Sequence, residues 1–219
     1  MSLGKKIIPE NKRRVQIEEF LIKEFAKAGY SHSDIQRTPL AVRITVFAQK
    51  PGIVIGKGGR NIDVITQMLK EQFKLENPQL DVQEVKEPDL DPNIVAKQIA
   101  AAIERGLNYK RVANLTLQRV IEAGAVGVAI RIAGKVGGEM SRVEKFSSGY
   151  LMYAGEPAEE LVKTAYARAQ VKLGTIGIQV RILTQMPEEL KAAKIVKEET
   201  VKEEIVKEEE AVKEEIVKE

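Results

Sequence analysis

The stretch Pro51–Ile65, PGIVIGKGGRNIDVI, constrains this chain more than any other. It sets Gly52, Gly56, Gly58 and Gly59, with Lys57 among them, between an apolar run and an amphipathic one. Backbone this bare permits positive φ and close approach by another chain. Spacing separates the glycine loops that hold phosphates. A Walker loop needs four residues between its first glycine and Gly-Lys-Ser/Thr. Here only Ile53, Val54 and Ile55 separate Gly52 from Gly56, and Gly58 stands where the hydroxyl is required. A dinucleotide fingerprint needs G-x-G-x-x-G, but after Gly56 and Gly58 the last position is Asn61. What remains is G-x-x-G, Gly56-Lys57-Gly58-Gly59, followed by Arg60 at the start of a helical pattern.

Taken alone, G-x-x-G is more often an ordinary exposed turn with an unrelated lysine, so its flanks carry the weight. An apolar run before it and a helix after it give the clamp of a KH domain, which grips about four nucleotides by their backbone. Missing side chains let the nucleic acid approach, while the N–H groups and dipole of the following helix favour an anion. Lys57 aims a cation at the same place.

Composition narrows the chemistry. A chain of 219 residues fits one large or two small domains, and 43% apolar residues suffice for real cores. Without cysteine there is no disulfide framework, thiolate metal site or thiol nucleophile. The single histidine, His32, makes a Ser-His-Asp system unexpected; it lies in GYSHSDIQ, which reads as a polar, solvated turn. The N-terminus lacks the apolar core of a secretory signal, and no run of about 18 apolar residues marks a membrane span. A soluble, intracellular protein is expected. The net charge of +3 averages unlike parts: residues 195–219 hold 5 lysines against 10 glutamates, leaving +8 on the rest. A basic body with an acidic tail points to a nucleic-acid partner.

Periodicity predicts a helix over 10–28 with Val15, Ile17, Phe20, Leu21, Phe25 and Ala28 on its apolar face and Gly29 as its stop. Residues 40–48 alternate as a half-buried strand, GIVIG makes one helical turn, and 61–73 form a helix with Ile62, Ile65, Met68, Leu69 and Phe73 toward the core. A strand over 79–85 precedes the break KEPDLDPN, where the domain boundary is placed. Asp91 and Pro92 start a helix to about Arg105. A second runs from Tyr109 to Glu122, followed by strands at 126–133 and 141–149. Residues 158–173 have helical propensity. Yet Ala165, Ala167, Ala169, Val171 and Leu173 alternate with polar neighbours, which predicts a strand, hairpinned through GTIG to 178–183. The repeats from Val196 set Glu-to-Lys pairs at i,i+4, but apolar residues five or six apart form no packing stripe. That tail is expected to be disordered or transiently helical.

The fold class is therefore α+β: a type II KH domain (1–87), an α/β two-layer domain of two helices on a four-stranded sheet (88–188), and a charged tail (189–219). The second part is the more specific. AGAVGVAIRIAGKVGGEMSR, YAGEP and LGTIGIQVRI closely resemble the C-terminal domain of the small-subunit ribosomal protein 3 family. The resemblance covers roughly residues 10–185. The tail and KFSSGYLMYAGEP are similar to archaeal and eukaryotic members.

The resemblance implies a structural, non-enzymatic protein of the small-subunit head in the cytoplasm, without cofactor, metal, membrane or small-molecule substrate. Its partners would be small-subunit rRNA, mRNA at the entrance channel and neighbouring head proteins. In bacterial members, basic residues implicated in unwinding structured mRNA fall on Lys110, Arg111 and Asn114; Asn114 lacks the charge. The residues agree: Arg105, Lys110, Arg111 and Arg119 lie between Glu104 and Glu122 with no acid among them. Lys135, Arg142 and Lys145 flank the GKVGG turn, with Glu139 and Glu144 interspersed. Lys5, Lys6, Lys12, Arg13 and Arg14 either grip rRNA or form an ordinary basic end. Aromatics at 5% argue against stacking platforms, so recognition should rest on phosphates and weaken steeply with salt. A free KH-type factor of RNA processing or turnover is the alternative. An enzyme is disfavoured, since no paired carboxylates or histidine base mark a site.

Overall fold

The computed structural model describes residues 3–38, 41–73, 75 and 77–186. The repetitive tail lies outside the described residues.

The first half is built on a mixed three-stranded sheet. Helix α1 (Leu3–Glu24) runs into a 3-10 turn (Phe25–Ala28) closed by Gly29 in the left-handed region. Ile17, Leu21, Phe25 and Ala28 are buried as expected, but Val15 is exposed. Two residues from Ile17, it sits nearly opposite on a helix of 3.6 residues per turn. Strand β1 (Tyr30–Arg37) pairs antiparallel with β2 (Val42–Ala48), which pairs parallel with β3 (Pro78–Glu84). Val42, Ile44 and Val46 turn inward from β2. The short helix α2 (Pro51–Ile55) and α3 (Arg60–Phe73) follow β2, and α3 buries Ile65 and Leu69. Met68, expected in the core, is exposed beside Leu69, and Phe73 is half-buried, edge-on to Phe20.

The GYSHSDIQ segment is a strand, not a turn. His32 is exposed, as expected, but its ring stacks on Phe47 at 4.3 Å and its Nδ1 lies 2.7 Å from the Ser31 hydroxyl. An edge strand needs partners on only one side, so this polar sequence forms a ladder without apolar alternation.

The second half is a two-layer structure. Asp91 accepts from the Asn93 N–H, and Pro92 opens α4 (Pro92–Glu104). Asn108 caps α5 (Tyr109–Glu122) in the same way. Both helices lie on one face of an antiparallel sheet ordered β5-β4-β7-β6. Its strands are β4 (Gly127–Gly134), β5 (Arg142–Gly149), β6 (Val162–Val171) and β7 (Gly174–Leu183). Val128, Ile130 and Ile132 from β4 and Ile176, Ile178, Val180 and Ile182 from β7 meet Val95, Ile99 and Leu117 in the core. Of the strand expected over 158–173, Val162–Val171 form β6, while Ala158–Glu160 belong to a short helix α6 (Glu156–Glu160). GTIG is not the hairpin turn: Val171 already pairs with Gly174, so Lys172 and Leu173 form the loop. That places Leu173 at the tip, exposed.

Two separate hydrophobic clusters result, one formed by residues from Ile17 to Leu69, the other from Val95 to Ile182. Helix α4 joins them. Its Asn93 amide donates to the Ser31 carbonyl at 3.2 Å, Lys97 Nζ donates to the Tyr30 carbonyl at 3.1 Å, and Gln98 reaches the Gln49 side chain at 3.3 Å. The Lys97 ammonium also sits over the Tyr30 ring, 4.9 Å from its centroid. Burial lowers the Lys97 pKa, opposed by the charge of Asp91, and burial raises that of Tyr30.

This joint has a testable pH signature. Because the folded pKa of Lys97 lies below 10.5, the unfolded chain binds more protons between those values. Stability from this group therefore rises with pH across that window. Comparing urea unfolding of wild type and Lys97→Met from pH 7 to pH 10, the difference should shift in favour of the wild type as pH rises. A difference independent of pH would show that the ammonium is as well solvated folded as unfolded.

Candidate nucleic-acid interface

The glycine loop forms at the junction of two helices. Helix α2 ends at Gly56, whose N–H donates to the Gly52 carbonyl at 3.0 Å. Lys57–Gly59 make a 3-10 turn, and Arg60 begins α3. Gly56 has φ 72° and ψ −177°, a region open essentially to glycine alone. A Cβ there would lie 2.6 Å from Cγ of Asn61, whose amide donates to the Ile53 carbonyl at 3.2 Å. Asn61 thus ties the end of α2 to the start of α3 through the space a side chain at Gly56 would fill. Gly58, at φ 66° and ψ 27°, is left-handed, and nothing lies within 4 Å of its Cβ position. Lys57, Gly58 and Arg60 are exposed. The five clamp residues are therefore contiguous at the surface, with the first turn of α3 behind them.

Sequence reasoning missed the apolar surface beside this loop. Ile53 and Ile55 of α2 and Val64 and Met68 of α3 are 38–50% exposed. Val64 and Met68 are one turn apart on α3. The signal was present as apolar residues in excess of those Ile65 and Leu69 need to fill the core.

The second group centres on α5. Lys110, Arg111 and Asn114 are exposed within its first two turns, and Lys110 Nζ lies 5.9 Å from the Tyr109 ring centroid. Arg105 ends α4, its Nε held by the Ala101 carbonyl at 3.1 Å, just before the short connection to α5. Arg119 is on the outward stripe of Arg111, two turns farther on, about 12 Å away. Lys135 and Arg142 flank the β4–β5 hairpin and are exposed. Lys145 does not join the helical group. In β5 the positions of Glu144 and Phe146 face the helices, and Phe146 meets Tyr109 at 6.5 Å. Lys145 therefore points to the opposite side of the sheet. At the N-terminus, Arg14 is tied to β1 through the Ile35 carbonyl and Asp34, while Lys12 and Arg13 are exposed.

Among the described residues no helix is long and apolar enough to cross a membrane, and no cluster of His, Asp and Glu could hold a metal ion.

A mixed KH sheet with a glycine clamp, joined to a two-helix, four-strand domain with a cationic helix, defines an RNA-binding protein of the KH class. Comparison agrees for both halves. Residues 16–90 match the KH domain family, and residues 99–182 match the family of ribosomal protein S3, C-terminal domain. The chain is 45% identical over 195 residues to small ribosomal subunit protein uS3 of Methanocaldococcus jannaschii, covering 88% of this chain and 92% of the relative. It is 46% identical over 186 residues to the uS3 protein of Methanococcus vannielii, covering 84% and 88%. With that of Methanoculleus marisnigri it shares 45% over 183 residues, covering 84% and 78%. The chain belongs to the uS3 family of small ribosomal subunit proteins, whose role is structural and not enzymatic.

The two clamp glycines should respond differently to substitution. Gly56→Ala should cost about 1–3 kcal/mol of stability, from its backbone region and the clash with Asn61. Gly58→Ala should cost no more than about 1–2 kcal/mol, the left-handed penalty alone. Thermal and urea unfolding of both variants checks this; equal losses would mean that Asn61 moves aside freely.

Proposed function

We propose that this chain is a structural constituent of the small-subunit head that binds small-subunit rRNA and borders the channel by which mRNA enters. The observation that carries the reading is the succession, in one chain, of a clamp-bearing KH domain and an S3-type C-terminal domain. Gly56, Lys57, Gly58, Gly59 and Arg60 would hold an RNA backbone against the N-terminus of α3, with neighbouring bases over Ile53, Ile55, Val64 and Met68. Arg105, Lys110, Arg111, Asn114 and Arg119 would form the face toward mRNA or rRNA, extended at the hairpin by Lys135 and Arg142. The domain division falls at 87/88, supported by the two separate clusters and by Leu90 packing against the second. The site of action is the cytoplasm, and other head proteins are neighbours.

Any effect on mRNA structure would be passive. Cations on α5 lower the cost of holding separated strands, and translocation supplies the work. Asn114, exposed but uncharged, makes that contribution smaller than three cations would.

Sedimentation of a native lysate through a sucrose gradient tests the assignment. Stoichiometric co-migration with the small subunit through a moderate-salt wash is expected. A pool mainly at the top of the gradient would make a free RNA-binding factor the better reading. For the mRNA face, Lys110→Ala with Arg111→Ala should slow translation of structured messages several-fold more than unstructured ones. Equal slowing of both would remove the role at the entrance channel.

A further inference from the structure

The C-terminal sheet has a second face, turned away from α4 and α5, and the strands give it a consistent character. Side chains alternate along each strand, so the residues between the buried ones share this outer side. Register places Lys145 of β5 opposite Arg131 of β4, Arg131 opposite Gln179 of β7, and Gln179 opposite Tyr166 of β6. Arg181 lies two residues along β7 and Arg168 two residues along β6, on the same side. No strand position on this face carries a carboxylate. Among the described residues the side chains of Arg131, Lys145 and Arg168 form no ion pair or hydrogen bond.

Like charges directly opposite on neighbouring strands are destabilising, and Arg131 faces Lys145 with no counter-charge between them. Such a pair is favourable only against an anion. The face also carries aromatic rings. Tyr166 is 73% and Tyr153 65% exposed, so both present bare ring surface. With its amide oxygen toward them, Gln179 accepts from the Tyr166 hydroxyl at 3.0 Å and from Arg181 Nε and Nη2 at 3.1 and 3.2 Å. The Arg181 guanidinium in turn lies 5.8 Å from the Tyr153 ring centroid. The Tyr166 ring and the Arg181 cation are thus held in place, and Arg181 lines a shallow depression of about 240 Å³ together with Arg131, Lys145 and Tyr153. Helix α6 brings Glu156, Glu159 and Glu160 to one end, which would repel phosphate and bound the surface there.

We infer that the outer face of the C-terminal sheet is a second RNA-binding surface, taking a short single-stranded segment with phosphates on Arg131, Lys145 and Arg168 and bases stacked on Tyr166 and Tyr153. Unpaired cations between exposed rings match the chemistry of single strands, where a basic track follows the backbone and aromatics stack the bases. A four-stranded sheet offers room for two or three stacked bases. The aromatic content of the chain argued against a stacking platform, but the fold gathers these rings on one face. This inference rests on the RNA-binding reading above and extends it to a surface independent of the clamp.

Fluorescence anisotropy of the full chain with labelled dodecauridylate, over a range of salt, separates the two surfaces. The variants are Arg131→Ala with Tyr166→Ala on the sheet, Lys57→Asp with Gly58→Asp at the clamp, and all four together. The sheet variant should bind about tenfold more weakly, with a salt slope shallower by about 0.7 for the cation removed. The combined variant should be weaker than either. Arg131→Lys with Tyr166→Phe, which keeps charge and ring, should restore most of the binding and controls for folding. An unchanged affinity and slope in the sheet variant overturns this inference, while a loss confined to the clamp variant leaves the clamp reading standing. A loss confined to the sheet variant does the reverse, and a wild type that does not bind overturns both. A sheet variant that binds the oligonucleotide normally yet leaves the small subunit on a sucrose gradient overturns the RNA assignment in favour of a protein contact.

Discussion

The packing of α4 on two sides is the constraint from which the rest of the molecule follows. Eight of its thirteen residues are buried, more than one stripe of a surface helix supplies. Val95, Ala96, Ile99, Ala100 and Ile103 belong to the core of the C-terminal sheet, while Asn93, Lys97 and Gln98 reach back to the backbone and side chains of the first half. Burying an isoleucine such as Ile99 is worth roughly 1.5–3 kcal/mol, so the helix cannot leave its own sheet. The polar contacts then set its orientation toward β1. They are weaker than the core but directional, as suits fixing an angle between two bodies that fold on separate clusters. Tyr30 and Lys97, whose pKa values burial displaces, lie at this joint and not in a cleft. Their perturbation reflects packing between the halves, not preparation for chemistry.

On the proposed reading the two halves would meet a polyanion by different means. In the first, the binding element would be backbone: the glycine loop at the start of α3, with Lys57 and Arg60 exposed beside it. In the second it would be side-chain charge, displayed on α5 on one side of a two-layer domain and on the free face of the sheet on the other. Backbone donors contact phosphates at short range and depend on shape, whereas dispersed cations act through counterion release and weaken with salt. A chain that combined them would keep its place by the first and gain affinity from the second.

How much of this was legible in the sequence depended on whether the signal was local. The Asp91-Pro92 start of α4, the alternation of Val42, Ile44 and Val46, and the placement of the glycine loop between a helical turn and a helix are each written within a few residues, and the structure has each of them. Strand β1 was missed because Ser31, His32, Ser33 and Asp34 make an edge ladder without an apolar face. Val15 and Met68 were placed in the core because they are apolar near other apolar residues, although helical geometry turns them outward. The outer sheet face was the least visible. Arg131, Lys145, Arg168 and Arg181 lie on four strands, and only register brings them together. A slip of one residue would bury every one of them, so no linear window holds the pattern.

That arrangement also bears on stability. Outside residues 195–219 the chain carries +8, and the C-terminal domain displays uncompensated cations on both of its broad sides, separated by one thin core. Charges so placed repel one another across the domain and favour expansion. Nothing among the described residues offsets the Arg131–Lys145 pair, and on the proposed reading a bound polyanion would supply the compensation. A ligand that binds only the folded state stabilises it in proportion to its concentration over its dissociation constant, and a polyanion on these faces would remove the repulsion as well. On that reading RNA would stabilise the folded domain beyond the contacts it makes, because it would also relieve the repulsion between Arg131 and Lys145. The proposed surface explains why this face carries no carboxylate of its own, since cations neutralised by neighbouring side chains could not hold RNA.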